Sequence, residues 1–169
     1  MKYFVRLATE QDKPAVAKFY DNSLPLIDEK QTSWIKNIYP SIDTALKAID
    51  LSQLFVCYDS NDIVSGTVIL NNQSDKEYEN ITWSTPELDP NQILIIHTLV
   101  IDPKKLNQGI ASAMINFIKD FGKSNSMVTV SYTHLDVYKR QVHRCYHLEQ
   151  RLRHFLKFQD LNRQRNLDF

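Results

Sequence analysis

The chain has 169 residues, 43% of them hydrophobic and 24% charged, which suits one domain with a real core. It contains no run of about 18 apolar residues, so no membrane span is expected, and "MKYFVRLATEQDK" lacks the apolar stretch of a signal peptide. The formal net charge is zero, and Cys57 and Cys145 stand far apart with no CxxC partner, which argues against a disulfide framework or a zinc site and for a reducing, cytoplasmic setting.

In chain order, "YFVRLA" (3–8) reads as a first strand. "TEQDKPAVAKFYDNSL" reads as a helix capped by Thr9 or Asp12, with Pro14 tolerable in the first turn and Val16, Phe19 and Tyr20 as its buried stripe. A second helix is expected around "DEKQTSWIKNI". A third falls in "YPSIDTALKAIDL", capped by Ser41, with Ala45, Leu46, Ala48 and Ile49 facing inward. "QLFVCYD" and "IVSGTVILN" are two strands joined by "DSND", a hairpin turn. Residues 72–91 are polar and proline-marked, hence a loop.

"QILIIHTLVI" (92–101) is nearly all apolar, the pattern of a central strand covered on both faces. "DPKK" ends it. Ile110, Ala113, Met114, Phe117, Ile118 and Phe121 then recur at helical spacing, with Gly122 placed as a C-cap. "MVTVSY" returns to period two as another strand.

The join between the central strand and this helix holds Gly109, one of only three glycines. The first turn of a helix leaves backbone N–H groups without partners, and the helix dipole adds positive charge there, so an anion such as phosphate suits the position. A glycine lets the backbone come close. Ala111 and Ser112 keep the next positions small, and Lys104 and Lys105 could add attraction. A lone glycine before a helix is also an ordinary turn residue. Spacing alone leaves both readings open.

The stretch "HTLVIDPKKLNQGIASAMINFIKDFGK" resembles the acetyl-CoA-binding motif of the GNAT superfamily of N-acetyltransferases: an apolar strand, a proline, then Gln/Arg-x-x-Gly-x-Gly/Ala opening a long helix. Pro103, Gly109 and Ala111 keep the family spacing, whereas Leu106 stands at the Gln/Arg position. The resemblance spans about residues 3–130. It implies an α/β (α+β) fold, a mixed central sheet flanked by helices. It further implies acetyl-CoA as co-substrate and no metal. The backbone of Leu99, Val100 and Ile101 would pair with the pantetheine arm. The backbone from Leu106 through Asn107, Gln108, Gly109, Ile110, Ala111 and Ser112 would wrap the pyrophosphate.

Acetyl transfer to an amine needs a neutral amine, a held thioester and a proton for the departing thiolate. His97, inside the central strand, is the candidate general base; the alternative is a core histidine tied to a neighbouring carbonyl. Glu77, Glu79 and Glu87 could act through water or form a solvated face. Trp34, Tyr39, Tyr78 and Trp83 could line an amine pocket or simply pack.

Beyond residue 130 the pattern changes. Residues 1–130 carry 11 Lys and one Arg, whereas residues 131–169 carry two Lys, six Arg and four of the five histidines. The family's Asn-x-x-Ala-x-x-Leu-Tyr-x-x-x-Gly-Phe segment is not recognisable there, and Tyr146 cannot be aligned to its tyrosine. "SYTHLDVYKRQ" resembles a string of sequencing-adapter origin that recurs in metagenomic translations. Residues 131–169 are therefore read as an atypical basic tail, chimeric or frame-shifted, with the C-terminal strands missing or replaced. Native reads that run uninterrupted across this junction would remove that idea.

The reading is an N-acetyltransferase that moves an acetyl group from acetyl-CoA to a primary amine of a small molecule or peptide. The alternatives are an acyl-CoA-binding protein without turnover and an incomplete transferase lacking its acid-bearing segment. Neither nucleic acid nor membrane is expected as a partner; pairing into a homodimer is allowed for.

Overall fold

The structure, a computed structural model, describes residues 3–28, 34, 35, 38–73, 92–127 and 129–132. Five strands form one sheet in the order β1 (Phe4–Leu7), β2 (Leu54–Tyr58), β3 (Val64–Asn71), β4 (Ile93–Ile101) and β5 (Thr129–Tyr132). The first four pair antiparallel; β4 and β5 pair parallel. Parallel neighbours need a crossover, and helix α3 (Ile110–Ser124) supplies it on one face of the sheet. Helices α1 (Lys13–Ser23) and α2 (Ile42–Asp50) cover the other face.

This layering explains the continuous apolar run of β4. Leu94, Ile96 and Leu99 pack with Ile110, Met114, Ile115 and Ile118 of α3. Val100 points into a second core with Val16, Phe19 and Tyr20 of α1 and Ala45 and Ile49 of α2. A strand buried on both faces reads as a nearly continuous apolar run, and its buried polar residue, Thr98, is hydrogen-bonded to Tyr39.

Gly66 in β3 sets how closely α3 can lie. A Cβ there would sit 2.8 Å from Met114 Sδ, 3.0 Å from Ile101 Cδ1 and 3.2 Å from Ile110 Cγ2. Bare backbone at this point lets the first turns of α3 rest against the sheet.

Local chemistry accounts for most element ends. Thr9 and Asp12 form a capping box, and Pro14 falls in the first turn of α1, where its missing N–H has no consequence. Ser41 Oγ accepts from Thr44 N at 3.1 Å and caps α2. The hairpin between β2 and β3 is closed by Asp59: its Oδ1 accepts from the N–H groups of Asn61 (2.9 Å) and Ile63 (3.1 Å), and Asp62 takes a left-handed φ of 56°.

Two expectations need correction. The described part of the segment expected as a helix around residues 28–38 is a turn: Ile35 and Tyr39 exchange backbone hydrogen bonds of 2.9 Å in both directions. Pro40 has no N–H to donate, so no helical ladder continues through it. Gly122 is not a cap either. It is buried within α3, and the left-handed residue that ends the turn is Ser126, at φ 56°. Residues 133–169, where the missing or replaced strands were expected, lie outside the described residues.

Candidate functional site

Between β4 and α3 the chain makes a tight turn. Asp102 Oδ1 accepts from Lys104 N and Asp102 O from Lys105 N, both at 2.9 Å, around the short helical turn Pro103–Lys105. Asn107 (φ 64°) and Gly109 (φ 85°) are both left-handed. Alternation of this kind turns successive N–H groups toward one side and makes a concave anion site. The helix begins at Ile110, and its first internal bond runs from Ala113 N to Gly109 O at 2.9 Å. The N–H groups of Gly109, Ile110, Ala111 and Ser112 therefore have no partner within the helix, and no side chain caps it. A Cβ on Gly109 would meet nothing within 4 Å. Neighbouring atoms do not demand glycine here; the backbone angle does, and the space above is open.

Of the two lysines expected to assist, only Lys104 is exposed. Lys105 turns back onto the protein, where Nζ bonds Asp59 Oδ2 at 2.7 Å and Ser65 Oγ at 2.8 Å. The buried Asp59 carboxyl is held below its usual range by that ammonium and by the N–H groups of Asn61 and Ile63. Lys105 is thus a brace between the β2–β3 hairpin and the phosphate-type turn. Leu106 is exposed and offers only backbone; Ile110 is buried with its side chain in the core.

Leu99, Val100 and Ile101 occupy the end of β4 nearest this turn. Asp102 N donates to Ser65 O at 3.1 Å. In an antiparallel ladder bonding alternates, so Val100 also addresses β3, and Leu99 and Ile101 turn their N–H and C=O groups to the other edge. On that edge β5 pairs with residues 93–96, and among the described residues nothing pairs with β4 beyond Ile96.

His97 lies at a break in the ladder. Ile69 pairs with Thr98 and Leu70 with Ile96, so the register skips His97 and makes it the extra residue of a bulge. A bulge bends the strand and re-aims a side chain that the regular pleat would bury. Here the imidazole is half-buried at the wall of a cavity of about 770 Å³. Tyr39, Asp43, Lys47, Gln53 and Asn71 also line that cavity. His97 Nε2 lies 2.6 Å from Asn71 Oδ1, the carbonyl oxygen of a side-chain amide. Tyr39 lines the same space, its hydroxyl 2.6 Å from Thr98 Oγ1. Trp34 instead packs against the core around α1 and α2.

The four residue steps from His97 to Ile101 correspond to about 13 Å of extended strand. The uncapped entry to α3 and the imidazole therefore stand near two ends of one strand. Glu77, Tyr78, Glu79, Trp83, Glu87 and Tyr146 lie outside the described residues. Among those described, no group of three His, Cys, Asp or Glu side chains is placed to hold a metal, and no helix is long and apolar enough to cross a membrane. Cys57 is buried, and burial pushes its thiol up to about 11, which makes it a poor nucleophile.

Sequence reasoning passed over Asn71, Gln53 and Gly66. Nothing in their local sequence marks them, because each matters through a partner far along the chain. It also missed the brace from Lys105 to Asp59.

The Acetyltransferase (GNAT) family model matches residues 6–149, extending past residue 130, where the sequence resemblance was taken to end. No curated protein matches the chain. Among solved structures, a GNAT-family acetyltransferase from Listeria monocytogenes is 12% identical, with a TM-score of 0.63 and 84% of each chain covered. An N-acetyltransferase from Staphylococcus aureus is 15% identical, with a TM-score of 0.56, covering 87% of this chain and 83% of its own. A Bacillus halodurans protein is 17% identical, with a TM-score of 0.59, covering 85% and 90%. At such identities the structures speak for the fold, and the family model for the kinship: an open helix mouth after a bulged central strand belongs to a chain that is a member of the GNAT family of acetyltransferases.

Proposed function

We propose that this protein is an N-acetyltransferase that takes acetyl-CoA as co-substrate and acetylates a primary amine. The observation that carries the reading is the uncapped, left-handed entry into α3 at Gly109, set at one end of a strand edge whose other end carries the bulged His97. Bound acetyl-CoA supplies the activated acetyl group as a thioester. The N–H groups of Asn107 through Ser112 hold its diphosphate, because oriented amides and the helix dipole favour negative charge. The main chain of Leu99 and Ile101 takes its amide-bearing arm as an added strand would be taken. The acceptor enters through the cavity beside His97, and the imidazole receives the proton that the amine must lose.

The test has two steps. Acetyl-CoA should raise the melting temperature of the full chain, by about 2.7 kcal/mol of stability at one hundred times its Kd. CoA should then be released when a panel of small amines and peptides is added. Stabilisation without release would point to an acyl-CoA-binding protein, and no stabilisation would remove the transferase reading.

A further inference from the structure

The cavity wall beside His97 contains a chain of polar side chains whose orientation can be worked out from one donor. The backbone N–H of Gln73 donates to Asn71 Oδ1 at 2.9 Å. A backbone N–H is only a donor, so the atom facing it has to be the amide oxygen. The other end of the same amide, Asn71 Nδ2, donates to Gln53 Oε1 at 3.1 Å, in agreement. These two bonds fix which atom Asn71 presents to the imidazole. His97 Nε2 lies 2.6 Å from that same Oδ1. Two acceptors share no hydrogen bond, so Nε2 carries a proton, and in the neutral ring the lone pair falls on Nδ1. With bonds from Gln73 and His97, both lone pairs of Oδ1 are used.

We propose that Asn71, oriented by Gln53 and by the Gln73 N–H, is a positioning residue that holds His97 as the Nε2–H tautomer and makes Nδ1 the atom that receives the amine proton. The catalytic half of this statement rests on the function proposed above; the tautomer does not. The amine nitrogen gives its proton to Nδ1 and uses its electron pair for the new N–C bond, while the C–S pair leaves with sulfur as thiolate. When the ring becomes an imidazolium, Nε2–H stays directed at Oδ1, so the charged ring is oriented by the same contact. The bulge makes this geometry available, because a residue in register would direct its side chain by the pleat alone. Among the described residues, the other titratable groups lining the cavity are Asp43 and Lys47 of α2 and Tyr39 ahead of it.

The experiment is imidazole nitrogen NMR on the full chain, with the His97 signals assigned by His97→Gln, together with pH profiles of kcat/KM. In the unsubstituted protein the proton should be found on Nε2. Asn71→Leu removes the acceptor and should give a mixture of tautomers and about a tenfold or greater loss of kcat/KM. Asn71→Asp keeps the shape and the Gln73 bond but adds a negative charge, which favours the imidazolium; the acidic limb of the profile should move up by about one pH unit. An Nδ1–H ring, or a tautomer and profile unchanged in Asn71→Leu, overturns the proposal. A folded protein with the Nε2–H tautomer but no acetyl transfer to any amine would leave the positioning intact and strike the proposed function instead.

Discussion

Gly109 is the residue on which the site turns. Its φ of 85° lies where a Cβ meets its own backbone, and the space beyond is open. The Gly109→Ala variant should lose about 1 kcal/mol in urea unfolding from backbone strain. It should also lose tenfold or more in acetyl-CoA affinity by calorimetry, because the added methyl group stands in the approach to the α3 amides. Loss of stability with unchanged affinity would reduce Gly109 to a turn residue. The glycine itself was legible in the sequence, since its spacing from Pro103 and its place before an apolar-periodic run are local facts. The role of Lys105 was not. Its ammonium was expected to face the ligand, yet Asp59, 46 residues away in sequence, holds it.

At the scale of elements, the strands and the three helices followed from short apolar runs, helical period and caps: Ser41, Pro14 and the runs of β2 and β3 all act within a few residues. The corrected elements have local spacing overruled by the rest of the chain. Around residue 35 the backbone closes the Ile35–Tyr39 bridge, and Gly122 is buried inside α3, which runs on to Ser124. Packing also decides the position of α3. Gly66→Val would drive a branched side chain against Met114, Ile101 and Ile110, and should cost about 1–3 kcal/mol by calorimetric unfolding. Gly66→Ala should cost less, because Met114 is flexible and can give way. Equal stability of all three forms would show that α3 does not depend on bare backbone in β3.

At the scale of the whole molecule, two buried carboxylates tie distant segments together and make the fold sensitive to acid. Asp12 receives both guanidinium nitrogens of Arg6 at 2.8 Å and the Tyr58 hydroxyl at 2.7 Å, joining β1, α1 and β2. The Arg6 guanidinium, aided by the Thr9 N–H and the Tyr58 hydroxyl, holds its carboxyl well below the usual range. The same burial and the Asp12 charge push Tyr58 up to about 12. Asp59 is lowered in the same direction by Lys105. A depressed carboxyl contributes stability that is complete above the unfolded value of about 3.9 and is lost as pH falls toward the folded value. Asp12→Asn should therefore cost about 1–3 kcal/mol at neutral pH. The gap between variant and unsubstituted protein should narrow steadily once the pH drops below about 4, read from urea midpoints. A gap that stays constant with pH would mean that charge plays no part.

The sequence by itself determined where most of the strands and helices run, that strand, turn and helix follow one another around Gly109, and which family the chain resembles. These are short-range properties: periodicity, caps and turn residues act over one or two turns of chain. Only the tertiary structure decided that β4 skips a residue at His97, that Asn71 and Gln53 orient its ring, that Lys105 serves Asp59 and that Gly66 admits α3. Each of those depends on backbone segments brought together across the sheet, and no pattern along a single strand carries the identity of the residue that will lie beside it.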